Sequence, residues 1–156
     1  MTDRLEKTLI RAEIEALNSE FAYLIDHDLS DQVAELFSEN GSYGRGTGER
    51  STGRAALRHV YAIRASRGGR MARHVFTNLR LVYESDNRVS GTCLLILFAE
   101  DGTPPHPAEV NLASEYEDIY ERRDDGVWRY ASRTVTNLFR KAHKPLVLPL
   151  GAPVEK

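Results

Sequence analysis

The run from Met71 to Asn78, MARHVFTN, sets a histidine, an aromatic ring and an amide at alternate positions of a segment with strand-like composition. Side chains two apart on a strand share a face, so His74, Phe76 and Asn78 are expected on one side and Arg73, Val75 and Thr77 on the other. The first face either meets water or lines a polar pocket. In a pocket, an imidazole with a reference pKa near 6.5 can take and return a proton at neutral pH. A buried carboxylate beside it would orient one tautomer and stabilise the protonated ring. The reaction that suits such a base is removal of a proton from carbon next to a carbonyl, with a phenol donating a hydrogen bond to the oxygen on which charge develops.

The elements that must position such groups are legible from spacing. Ile10, Ile14, Leu17, Phe21 and Leu24 recur at helical intervals, with Glu6, Glu13 and Glu20 elsewhere on the wheel, which predicts an amphipathic helix over 4–26. Asp3 and Glu6 form a capping pair at its start. A short second helix is expected from Ser30 to Phe37, followed by a turn and a brief strand carrying Tyr43. A third helix is expected in STGRAALRHVYAIRAS, capped by Ser51 or Thr52 and closed by Gly68 and Gly69. Beyond Gly69 the pattern turns to strands at 72–84, 88–99, 109–123 and 127–138, separated by tight-turn chemistry in ESDNR and RRDDGVW and by the proline-stiffened loop AEDGTPPHPAE. Three helices followed by a meander imply an α+β fold, with the first helix laid across a curved antiparallel sheet. Strand 88–99 contains CLLILFA, apolar on both faces, so one face is expected to pack on the helices and the other on a second copy. A homodimer or higher homo-oligomer follows as an expectation.

Composition narrows the classes. The 156 residues suit one domain over 1–138, with 139–156, which is rich in proline, as a tail or lid. A content of 41% hydrophobic and 28% charged residues is that of a globular protein, and no apolar run approaches membrane-spanning length. The opening residues are charged throughout and lack the apolar centre of a secretory signal, so a cytoplasmic location is expected. A net charge of −2 argues against nucleic acid as a partner. Cys93 is the sole cysteine and reads as an inert packed thiol. His27, His59, His74, His106 and His143 show no metal-binding spacing. Gly44, Gly46 and Gly48 lack the lysine and hydroxyl of a phosphate-binding loop, and Trp128 reads as a core anchor.

The order of elements, together with FAYLIDHDLSDQVAELFSENGSY, GRAAL, RHVFTN and YEDIYERRDDGVWRYASRTV, resembles the SnoaL-like branch of the NTF2-like superfamily over about residues 5 to 138. That group includes scytalone dehydratase, polyketide cyclases, ketosteroid isomerase and the small subunits of ring-hydroxylating dioxygenases. The resemblance implies a cone: helices wrapped on a curved sheet around a blind, mostly apolar pocket. It also implies an acid at the end of the first helix, matched by Asp26, a histidine on the first long strand, matched by His74, and a tyrosine on the short strand, matched by Tyr43. Ser114 and Tyr116 match a polar pair on a later strand. Scytalone dehydratase carries a second histidine where this chain reads CLLILFA, and His106 in the proline-rich loop is the available substitute.

On this reading Asp26, His74 and Tyr43 are the catalytic candidates, and Tyr23, Phe76, Asn78, His106, Ser114 and Tyr116 the substrate contacts. The expected activity is that of a lyase needing no cofactor, chiefly a dehydratase or a retro-aldol C–C lyase, acting on a small hydroxylated aromatic or polyketide-like compound. A ketosteroid-isomerase-like isomerase or cyclase and a non-catalytic ligand-binding or scaffold subunit are the alternatives.

Overall fold

A computed structural model of the protein describes residues 3–66 and 69–142. Helix α1 spans Arg4–Asp26, and Asp3 Oδ1 accepts the Glu6 backbone N–H at 2.7 Å, which stabilises the first turn by about 1 kcal/mol. Its expected apolar stripe is buried from Ile10 to Leu24, joined by Ile25 and by Asn18. Each large apolar side chain so buried contributes roughly 1.5–3 kcal/mol relative to exposure.

The three helical segments do not precede the sheet as a block. After α1 comes a 3₁₀ segment, Ser30–Leu36, in place of the expected second α-helix. It runs straight into β1, Phe37–Arg45. Ser51 and Thr52, expected as helix caps, belong instead to the short strand β2, Arg50–Thr52, which pairs with β1. Helix α2, Arg54–Ala65, then starts after Gly53, whose φ of 88° turns the chain out of the sheet. Of the expected closing glycines, Gly68 lies outside the described residues.

The four long strands fall where turn chemistry placed them: β3 at Arg70–Ser85, β4 at Arg88–Asp101, β5 at Leu112–Arg122 and β6 at Trp128–Arg140. The sheet order is β2-β1-β6-β5-β4-β3. The sheet is mixed, contrary to the antiparallel expectation, because β1 and β6 pair in parallel. Three successive reversals from β3 bring β6 back beside β1 running in the same direction, and hairpin signals report only consecutive strands. Since β6 continues to Arg140, the expected 139–156 tail begins as sheet, and its part from residue 143 onward lies outside the described residues.

Strand β4 alternates strictly. Cys93, Leu95, Leu97 and Ala99 are buried on the inner face, while Leu94, Ile96 and Phe98 are half-buried on the outer face beside Val75 of β3. Burial pushes the Cys93 thiol up to about 11, in keeping with an unreactive packed group. Trp128 is buried under the Arg122 guanidinium. Among the described residues no helix is long and apolar enough to cross a membrane.

Candidate active site

The end of α1 and the edge strand β3 bring Asp26 and His74 together. β3 has only β4 as a neighbour, so alternate backbone N–H groups on its other edge need partners from outside the sheet. One of these, the His74 N–H, donates to Asp26 Oδ2 at 2.8 Å. The other carboxylate oxygen of Asp26 lies 2.6 Å from His74 Nδ1. A carboxylate can only accept, so Nδ1 carries the proton and Nε2 is left with a free lone pair. Both side chains are more than nine-tenths buried. Burial holds the imidazole below its ordinary pKa, with Asp26 pulling it back up and the Arg64 and Arg133 charges opposing protonation. The ring is therefore a neutral base at pH 7.

His74 lines a cavity of about 400 Å³ between the inner face of the sheet and the helices. Phe21, Leu95 and Val135 supply apolar wall, and Tyr43, Tyr61 and Tyr116 supply phenols. Burial, reinforced by the neighbouring Tyr43, pushes the Tyr61 and Tyr116 hydroxyls well above their ordinary range, so both stay protonated and act as donors. Tyr61 is 1% exposed, and its hydroxyl has no hydrogen-bond partner among the described residues. As bounded by the described residues, the cavity is neither enclosed nor mostly apolar, whereas the resemblance implied a blind, mostly apolar pocket. Its exposed lining residues Asp28, Gly69 and Asp101 mark an open side, where Arg45, Arg64 and Arg70 also gather.

Beneath the cavity lies a buried polar network. The Arg133 guanidinium binds both oxygens of Asp118, at 3.0 and 3.1 Å, and donates to the Tyr130 hydroxyl and to Asn18 Oδ1, each at 2.8 Å. The Tyr120 hydroxyl donates to Asp118, and that of Tyr130 to Asn18. The guanidinium also stacks 4.2–4.8 Å from the rings of Phe21, Phe76, Tyr116 and Tyr130. Burial opposes its charge, but Asp118 and the surrounding tyrosines outweigh that and hold it firmly protonated.

The other expected site residues separate. Tyr43 and Tyr116 line the cavity with His74. Ser114 is buried behind it, donating to Asn137, which does line it. Phe76 sits edge-on to Phe21 and Tyr116 and borders a second hollow, of about 330 Å³, between α1 and β3. Asn78 also borders that hollow and is exposed, because the strand breaks register between Thr77 and Arg80 and Asn78 takes a φ of 55°. The alternation that aligned it with His74 ends at this bulge. Tyr23 is 52% exposed and stacks on His27 outside the cavity. His106 lies in the loop beyond β4 and does not line the cavity, so among the described residues no second histidine joins His74 there. Among the described residues no cluster of His, Cys, Asp or Glu is arranged to hold a metal ion.

Tyr61, Arg64 and the Arg133 network escaped the sequence reading. Leu57, Tyr61 and Arg64 fall on one stripe of α2, and inward alternation on β5 and β6 puts Asp118 and Arg133 in phase with Tyr116 and Val135. Those were the available signals.

With this geometry in place, comparison with known proteins defines the class. The chain belongs to the SnoaL-like domain family, whose family model matches residues 6–134. Among solved structures it is similar to a candidate scytalone dehydratase from Novosphingobium aromaticivorans, at 19% identity and a TM-score of 0.77 over 95% of this chain and 97% of that one. It is also similar to ActVI-ORFA from Streptomyces coelicolor, at 20% identity, TM-score 0.71, over 83% and 97% of the two chains. LinA matches at 23% identity, TM-score 0.72, over 96% and 100%. These likenesses establish the NTF2-like fold. No curated protein matches the chain in sequence.

Proposed function

We propose that the protein is a lyase working without a cofactor, chiefly a dehydratase, acting on a small hydroxylated aromatic or polyketide-like compound. The observation that carries this reading is the buried His74–Asp26 pair, with a free Nε2 on the wall of a cavity of about 400 Å³. Nε2 removes a proton from carbon next to the substrate carbonyl, and Asp26 stabilises the resulting imidazolium. Charge moves to the carbonyl oxygen, where Tyr43 or the unpartnered hydroxyl of Tyr61 donates a hydrogen bond. The imidazolium then returns its proton to the departing β-hydroxyl, which leaves as water while the double bond forms. Retro-aldol cleavage and double-bond isomerisation would draw on the same base and the same donors. The candidate scytalone dehydratase among the structural neighbours is in keeping with the leading choice.

The test is incubation of the purified protein with a panel of phenolic and polyketide β-hydroxy ketones, with mass spectrometry reading loss of one water. Turnover that His74→Ala and Asp26→Asn both abolish is expected. Equal turnover in either variant would end the proposal.

A further inference from the structure

The rim of the cavity poses a question that acid–base chemistry does not answer. Arg64 projects from the last turn of α2 into the cavity lining, half-buried, yet its guanidinium makes no hydrogen bond or ion pair with any described residue. Two other arginines held away from solvent have direct partners, although the Nε of Arg54 is itself unpartnered among the described residues. Arg54 reaches Glu35, Glu39 and the Phe37 carbonyl, and Arg133 holds Asp118. A guanidinium partly withdrawn from water with no direct partner loses hydration that the Tyr61 phenol and the Asp26 carboxylate offset only without a direct bond. Arg70, on the same lining, repeats the pattern in part: its Nε is buried without a hydrogen bond, and its nearest acid, Asp101, stands off at 3.8 Å. The carboxylate closest to the reacting centre, Asp26, already has both oxygens committed to His74. Two under-used planar donors therefore face one cavity, and a planar carboxylate is the group that matches a guanidinium fork.

We propose that Arg64, assisted by Arg70, forms an anion subsite receiving a carboxylate of the substrate, so that the compound presented to His74 is a hydroxylated aromatic or polyketide-like carboxylic acid. This rests on the lyase reading for what happens at His74, but the binding step stands apart from it. The carboxylate docks at the open, polar end while the apolar wall of Phe21, Leu95 and Val135 takes the ring or chain, which orients the substrate lengthwise.

Salicylate and salicylamide, equal in shape and unequal in charge, serve as probes in an NMR titration of the full chain. Wild type is expected to bind the acid at least about 10-fold more tightly than the amide, the scale of a charge-assisted pair. Arg64→Gln should reduce that preference to within about 2-fold, Arg64→Lys should retain part of it as a point charge, and His74→Ala should keep it whole. No preference in wild type, no binding of salicylate at millimolar concentration, or a preference that survives Arg64→Gln would overturn the subsite. Loss of all binding in Arg64→Gln while Arg64→Lys keeps the acid preference supports it, since the lysine variant reports on charge in a folded protein. If the preference holds but no β-hydroxy acid or ketone is dehydrated, the lyase reading falls and the subsite stands. If dehydration depends on His74 but acids and amides bind alike, only the subsite falls.

Discussion

The carboxylate of Asp26 accepts both N–H groups that His74 turns toward it, the ring Nδ1–H at 2.6 Å and the backbone N–H at 2.8 Å. One acid thus fixes the rotamer, the tautomer and the strand edge at once. An amide offers one acceptor oxygen to the same two donors, so Asp26→Asn leaves one of them facing an NH₂ group. The imidazole proton is expected to move toward Nε2 in this variant, read from ring nitrogen chemical shifts, with turnover falling about 10²–10⁴-fold. A ring that keeps its proton on Nδ1 would remove the orienting role assigned to Asp26.

Burial sets the pH behaviour of His74. Its folded pKa lies below the ordinary value, so as pH falls from about 6.5 the unfolded chain takes up a proton before the folded one does. The contribution of this group to stability is therefore complete above about pH 6.5 and declines as pH falls toward the folded pKa. Base-dependent kcat/KM should stay flat from neutral pH to below 6.5 and drop only beneath the depressed pKa. Titration of the ring proton resonances, followed beside urea midpoints, checks both signs; a folded pKa above 6.5 contradicts them.

Tyr61 separates stability from function. Its hydroxyl is buried without a partner among the described residues, so Tyr61→Phe is expected to leave stability unchanged or raise it by about 1 kcal/mol, while weakening turnover or ligand binding. Thermal unfolding and activity measured on one preparation decide this, and a clear loss of stability would show that the hydroxyl is bonded in solution.

The Arg133 network should respond in the opposite way. Arg133→Met strands Asp118, which is fully buried, and strips a hydrogen bond each from Tyr130 and Asn18. A loss of roughly 3–5 kcal/mol is expected in urea unfolding. A loss below about 1 kcal/mol would mean that water or repacking satisfies the carboxylate.

The outer face of β4 invites a second copy of the chain, since Leu94, Ile96, Phe98 and Val75 form one half-exposed apolar strip. Light scattering at micromolar concentration is expected to give twice the chain mass, and Ile96→Glu to halve it. A monomeric mass for the wild type would remove the dimer.

Local pattern was enough for much of the framework. Helical spacing located α1, and turn residues located β3 to β6 to within a few positions, because both signals are written in neighbours along the chain. Strand alternation drew out His74, resemblance supplied Asp26 as its partner, and the structure brings them into contact across 48 positions. Tyr23 and Asn78 were drawn in by the same motifs and ended outside the cavity, one on the solvent side of α1 and the other past a bulge that sequence alternation cannot register.

By itself the sequence determined α1, α2 and the four long strands and which face of most of them is apolar, since those depend on backbone preferences and burial of nearby side chains, but it did not determine the 3₁₀ segment or β2. Only the tertiary structure decided what faces what. The parallel pairing of β1 with β6, the meeting of Asp118 with Arg133, and the gathering of Tyr61, Arg64 and His74 around one cavity all follow from sheet order and helix docking. Those arrangements emerge from packing the whole chain at once, and no window of residues carries them.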